Sequence, residues 1–496
     1  MNTTRRIARN TAILTIAEVV TAVINLFFTM YVARYLGAEG FGLLSFALAF
    51  TAIFGVFTDI GLNQLTTREV ARDKTLALKY LGNITSLKVI LNVATFGLIA
   101  LTVNLLGYPA QTKNVVYLSS LFLVANAFCV MFYSIFQAYE RMEFVTFGRV
   151  LNAVLLMAGA LFAVVQHLSV ISFALIYFLS SAVTLLCNVG FSIWKFAKPH
   201  FDVDLSFWGK TLKQAWPFGL SGVFSGIYFW IGSVMLASKG NDVVGWYNVA
   251  YRLVFALSVV PSVYFTAAFP VMSRFYITSR ESLKIINEKS IKYMLMLAVP
   301  IAIGTTLLAD KIILLVFDKG YSNSVFALQI LVWAVAFVFL SSGFARLFES
   351  LNKQLMVTVV AASCSILNVA LNLVLIPMYS YKGAGIATLA TEFTAMAFLF
   401  FWSYRIGYGI SAKRVLDIVA RTFVAGAAMG LFVFYLRNLT LWVLIPAAAL
   451  LYFAVLLIIK GMDKEDRQLL QQMIGRKPSG VPAINANIKS KESNFE

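Results

Sequence analysis

The chain has 496 residues, 60% of them hydrophobic and only 12% charged, where a soluble protein carries about 25% charged residues. Together with a mean hydropathy of +0.82, this excludes a soluble globular domain and reads as an all-α, polytopic membrane protein. The net charge of +18 comes from Lys and Arg placed as loop anchors, and with no soluble basic domain in view it does not point to nucleic acid.

A helix needs about 20 apolar residues to cross the hydrocarbon core, and on that measure the sequence predicts fourteen spans. The first lies near 11–35 and is too long for a signal-peptide core, so the N-terminus is expected to be retained. It carries Glu18, Asn25 and Arg34. A turn with Gly37, Gly40 and Gly42 leads into the second span, near 41–65, which carries Asp59 and runs into Arg68 and Arg72. Such ionisable residues normally face a protein interior or a watery cavity, because exposure to lipid is costly. Spans three to six, near 80–106, 115–139, 146–166 and 170–194, carry Lys88, Asn126 and Asn152. Residues 195–213, with Pro199 and mixed charge, read as a cytoplasmic linker.

Spans seven to twelve fall near 214–237, 245–270, 291–316, 325–349, 355–376 and 384–406, and they hold Asn248, Arg252, Asn368, Asn372 and Glu392. Between spans eight and nine, 273–290 has the pattern of a short amphipathic helix lying on the membrane. Two more spans, near 417–436 and 441–460, precede a polar tail (461–496) expected to be cytoplasmic and partly disordered. With both termini inside, only Lys113, Lys239, Lys319, Lys382 and Arg437 of the 40 Lys and Arg fall in outside loops. That bias supports an even number of spans in a plasma or inner membrane.

A weak internal repeat is legible. Gly42–Ala47 (GLLSFA) opens span two and Gly245–Ala250 (GWYNVA) opens span eight; Phe136–Arg141 ends span four and Phe348–Lys353 ends span ten. The displacement is six spans, so the two copies share one orientation. The expected organisation is a six-helix bundle (1–194), the linker, a second six-helix bundle (214–406), and two extra helices (407–460). Like-oriented repeats enclose a cavity and alternate its access. Cys129, Cys187 and Cys364 form no CxxC pair, and the two histidines lie far apart, so neither a disulfide framework nor a metal site is implied. No GxxxxGK[ST] loop and no constellation of His, Cys and acid is present. No cofactor and no enzymatic activity are expected.

Four stretches carry a family resemblance: YVARYLGAEGFG (31–42), DIGLNQLTTREVAR (59–72), GWYNVAYRLVFALSVVPSVYFTAAFPVMSR (245–274) and LNVALNLVLIPMYSYKGAGIATLATE (367–392). In order and spacing they resemble the oligosaccharide and polysaccharide flippases of the multidrug/oligosaccharidyl-lipid/polysaccharide (MOP) superfamily. The resemblance covers roughly 5–460. It implies a pair of bundles that translocates a polyprenyl-(di)phosphate-linked oligosaccharide from the cytoplasmic to the outer leaflet for cell-surface polysaccharide, such as O-antigen. It also implies a polysaccharide polymerase or other assembly proteins as partners. The alternative is an ion-coupled multidrug or metabolite antiporter of the same superfamily. Relatives often carry an acid in span seven near the position of Gly232; its absence here puts ion coupling through that position in doubt.

For such a substrate, cations in the interior suit the phosphates. Arg34, Arg252 and Lys88 are the candidates, since a guanidinium fork matches phosphate geometry; snorkelling from a helix end is the competing reading. Glu18, Asp59 and Glu392 are candidates for proton or ion coupling, with ion pairing or capping as the structural alternative. Asn25, Asn248, Asn368 and Asn372 either contact sugar or hydrogen-bond helices together.

Overall fold

The structure is a computed structural model that describes residues 3–461. Fourteen α-helices and no strand occur among these residues: α1 (Thr3–Phe54), α2 (Leu62–Arg72), α3 (Ala77–Leu105), α4 (Ala110–Ala138), α5 (Met142–Val165), α6 (Val170–Lys195), α7 (Leu205–Leu236), α8 (Asn241–Phe255), α9 (Val259–Thr278), α10 (Arg280–Val316), α11 (Ser324–Ser350), α12 (Gln354–Arg405), α13 (Ala412–Tyr435) and α14 (Leu441–Ile458). All but Gly461 of the expected tail lies outside the described residues. The chain divides into two compact units, 1–410 and 411–496.

Helices α1 and α12 each have 52 residues. A straight helix of that length would run roughly 78 Å, more than twice the hydrocarbon thickness. Each is therefore a hairpin of two spans. Helix α1 turns at Gly37 (φ 66°, ψ 179°), a conformation that glycine reaches without steric cost. On one side of the turn, Tyr35 donates to the Leu168 carbonyl before α6, and Phe28 packs on Tyr177 further along α6. On the other side, Phe46 packs on Tyr108 at the far end of α3, and Asp59 meets Lys88 deeper along it. The two arms thus run in opposite directions. Helix α12 turns at Ser380 (φ 55°, ψ −136°), and Asn368 on its first arm donates to Thr391 on its second.

The second span is α1's second arm continued by α2, and the eighth is α8 continued by α9. The first break, Gly55–Gly61, holds Ile60 at φ 47° and Gly61 at φ 84°. The second, Ala256–Ser258, lies just before Pro261, whose missing N–H cannot bond the Leu257 carbonyl. Helix α7 bends by 43° between Leu205–Leu220 and Gly222–Lys239, at a Gly–Ser segment of the kind that kinks helices. Helix α10 passes through Pro300 as one element. Counted this way the helices make fourteen spans, as the hydropathy pattern predicts.

Large apolar side chains face outward along the helices, Val93 at 69% and Leu186 at 71% exposure among them. Outward-facing apolar surface on this scale needs lipid to cover it, and this is a multi-pass membrane protein. One expectation is corrected. Residues 273–290 form no separate surface helix: 273–278 complete α9, and 280–290 are the first turns of α10, with Leu283, Asn287 and Ser290 buried. A membrane-surface helix needs an unpartnered apolar stripe, and here that stripe packs on Leu347 and Leu351. The 195–213 linker is folded against α3. Asn83 donates to Asp202 (2.7 Å), and the Asp204 backbone N–H donates back to Asn83 (2.9 Å).

Candidate functional site

A cavity of about 680 Å³ opens inside the first six spans. Its walls come from five helices. Helix α1 supplies Thr21 and Asn25; α2 supplies Asn63, Gln64, Thr67 and Arg68. Helix α4 brings Asn126, Tyr133 and Gln137, α5 brings Arg149 and Asn152, and α6 brings Ser181 and Thr184. Six side-chain amides line it, and no carboxylate does. An amide offers both donors and an acceptor, so this wall suits a polyhydroxylated ligand.

Two guanidiniums reach the cavity. Arg68 is held at one edge, its Nε 2.7 Å from Glu69 Oε1 and its guanidinium 5.6 Å from the Phe218 ring. Arg149 has no carboxylate partner among the described residues and is exposed to the opening. Its place depends on Gly148, where a Cβ would stand 2.5 Å from the Tyr133 hydroxyl. That close approach lets α5 lie against α4 and aims the next residue at the cavity. An unpaired guanidinium among amides is an anion receptor with two parallel donors to offer.

The structure redistributes the other candidates. Asn25 lines the cavity, as do Asn126 and Asn152. Lys88 and Asp59 do not: Lys88 is 0% exposed, and its Nζ lies 2.9 Å from Asp59 Oδ1. Asp59 Oδ1 also accepts from the Asn63 backbone N–H, closing the start of α2. Of the two readings carried for Asp59, substrate-side coupling or ion pairing, the structure displays the ion pair, with Lys88 as its partner. It also excludes snorkelling, since the ammonium points inward. Arg34 donates to the Val316 carbonyl (2.8 Å) and to the Leu315 carbonyl, and Arg252 lies 5.3 Å from the Phe41 ring.

Asn248, Asn368 and Asn372 are buried and hydrogen-bonded to neighbouring helical residues, although the Asn372 Oδ1 has no partner among the described residues. Ser233 donates to Asn248, Asn368 to Thr391, and Asn372 to Asn368. Of the two readings carried for these three, sugar contact or helix-to-helix hydrogen bonding, the geometry displays the second. Beside them, the Tyr228 hydroxyl donates to Glu392 (2.6 Å), a carboxyl with no cationic partner among the described residues. Glu18, at the surface of α1, accepts from Ser262 on α9.

Arg149 and Arg68 were not among the candidates read from sequence. Arg149 lies a few residues past the expected start of span five and reads there as a loop anchor. The available signal was its spacing from Asn152, three residues on and so on the same helical face.

A profile of the family described as polysaccharide biosynthesis protein matches residues 7–276. The chain belongs to this family. Among solved structures it is similar to lipid II flippase MurJ in an inward closed conformation, with a TM-score of 0.74, 16% identity, and coverage of 93% of this chain and 99% of that one. It also resembles an inward-facing multidrug resistance MATE family transporter of the MOP superfamily (TM-score 0.65, 17% identity, 78% of this chain, 94% of that one). A third is a MOP superfamily transporter from Pyrococcus furiosus (0.55, 18%, 81% and 95%). At these identities the likeness shows the fold alone, the one that these flippase and transporter structures share. No curated protein sequence matches the chain.

Proposed function

We propose that this protein moves a lipid-linked oligosaccharide across the membrane, with the anionic headgroup entering the cavity inside the first six spans. The observation that carries the proposal is the lining: two guanidiniums, six amides and no carboxylate. A polyprenyl phosphate or diphosphate supplies the anion and the glycan supplies the hydroxyls. The Lys and Arg distribution supports a cytoplasmic side for the Arg68 end of the cavity, where such a lipid would be loaded. A cationic drug would be repelled by the same two guanidiniums.

The test is flipping of a fluorescent short-chain polyprenyl-diphosphate oligosaccharide in proteoliposomes. Arg149→Gln keeps size and some hydrogen bonding but loses charge. A charged hydrogen bond is worth about 1.5–3 kcal/mol, or roughly a 10- to 100-fold loss at subsaturating substrate. Lys195→Gln, outside the cavity, should leave the rate unchanged. Flipping that is unimpaired in both Arg149→Gln and Arg68→Gln would remove this site from the mechanism. Glu392 keeps the coupling role proposed from the sequence, with Tyr228 as its partner. Glu392→Gln should flip lipid at a rate indifferent to an imposed ion gradient.

A further inference from the structure

At the Gly37 end of the first compact unit, the α1 hairpin meets the second set of six spans through backbone. A Cβ on Gly42 would stand 2.6 Å from the Asn241 carbonyl carbon and 2.8 Å from the Gly245 nitrogen. A Cβ on Gly245 would stand 2.9 Å from the Ala38 carbonyl carbon. Only glycine fits at either position. These two glycines open the two copies of the internal repeat, so the repeats touch each other at equivalent points.

Side chains then tie the contact. Leu315 and Val316 are in the last turn of α10, whose carbonyls have no donor within the helix. Arg34, from the first arm of α1, supplies that donor through Nε and Nη2. A guanidinium at this end also meets the negative pole of the helix dipole. Beyond α10, the Tyr321 hydroxyl donates to the Ala33 carbonyl at 2.8 Å. Trp246 on α8 donates to the Gly320 carbonyl (3.3 Å), which holds the same turn in place. Breaking the tie frees the Arg34 guanidinium, the Tyr321 hydroxyl and the three carbonyls they hold, and it parts the apolar contacts among Phe41, Val244 and their neighbours as well.

We propose that the Gly42–Gly245 contact is the closed mouth of the transporter at this end and that Arg34 is its latch. The proposal rests on the transport reading above, because alternating access requires this end to part. When the guanidinium releases the α10 carbonyls, the α1 hairpin leaves α8 and the mouth opens. Arg34 is thus a gate residue that acts through α10 and touches no substrate in the closed state.

Pulsed electron-spin distance measurement tests this without substrate. Spin labels go on Gln111→Cys, in the first set of spans, and Asn323→Cys, in the second, both exposed at the Gly37 end. The background carries Cys129→Ser, Cys187→Ser and Cys364→Ser. Arg34→Ala should add or enlarge a long-distance population, and Arg34→Lys, with one point charge for two carbonyls, should fall between it and the parent. Tyr321→Phe should shift the distribution the same way by less, and Gly42→Leu should hold the mouth open as a wedge. If Arg34→Ala does not fold, Arg34→Lys and Tyr321→Phe decide. Distributions that match the parent in every folded variant overturn the latch. Flipping is measured on the same proteins: distances that shift while even the parent moves no lipid would refute the transport reading and leave the latch standing.

Discussion

The Lys88–Asp59 pair gives an asymmetric prediction. At 2.9 Å the Coulomb attraction is about 6 kcal/mol at an effective dielectric of about 20. Most of that offsets the desolvation of the two ions, so the gross figure is not a stability. What matters is the ion left behind when one partner goes. In Asp59→Ala the Lys88 ammonium stays fully enclosed, with only the Thr58 (3.4 Å) and Ala127 (3.5 Å) carbonyls near it. It should lose about 3–5 kcal/mol, the range for stranding a buried charge. In Lys88→Met the Asp59 side chain keeps 23% exposure and still caps Asn63, so the loss should be about 1–2 kcal/mol. The double variant Asp59→Ala/Lys88→Met should be more stable than Asp59→Ala alone, with a coupling energy of about 2–3 kcal/mol. Equilibrium unfolding in detergent micelles, titrated with SDS, reads all four proteins. A Lys88→Met loss equal to or larger than that of Asp59→Ala would refute the reasoning, because it would mean that the carboxylate and not the ammonium is the stranded ion.

Tyr228→Phe leaves the Glu392 carboxyl without its donor and should cost about 1–3 kcal/mol, read by the same unfolding titration; Glu392→Gln, which can still accept from Tyr228, should cost less. Gly61 and Gly107 both have positive φ, 84° and 67°, but a Cβ on Gly61 would stand 2.6 Å from the Gly219 nitrogen, whereas nothing lies within 4 Å of one on Gly107. Gly107→Ala should therefore cost about 1–2 kcal/mol from backbone strain alone, and Gly61→Ala should cost clearly more in a thermal-shift assay. Asp204 caps α7, and the Phe207 N–H that it accepts, with Lys79 adding, holds its carboxyl below the usual carboxylate range. A depressed folded value means the cap's contribution is complete above pH ~4 and fades as pH falls through that lower value. The melting-temperature gap between the parent and Asp204→Ala should narrow across that acid window, and a gap that widened there would contradict the sign.

Hydropathy determined the architecture because it is a local quantity. About 20 apolar residues cross a bilayer whatever surrounds them, and Gly37 can turn between two such runs without a partner. The fourteen spans, the membrane class and the expectation that ionisable residues such as Lys88 and Glu392 turn away from lipid all follow from that level. What each inward residue meets does not. Lys88 finds Asp59, 29 residues away, and Arg34 finds carbonyls 282 and 281 residues away. Arg149, read as a loop anchor, lines the cavity, while Asn368 and Asn372, read either as sugar contacts or as links between helices, bond within their own hairpin. The physical reason is rotation. Hydropathy says that a polar side chain must leave the lipid. Only the way neighbouring helices turn about their axes and cross one another decides whether it then faces an opposite charge, a helix end or an open cavity.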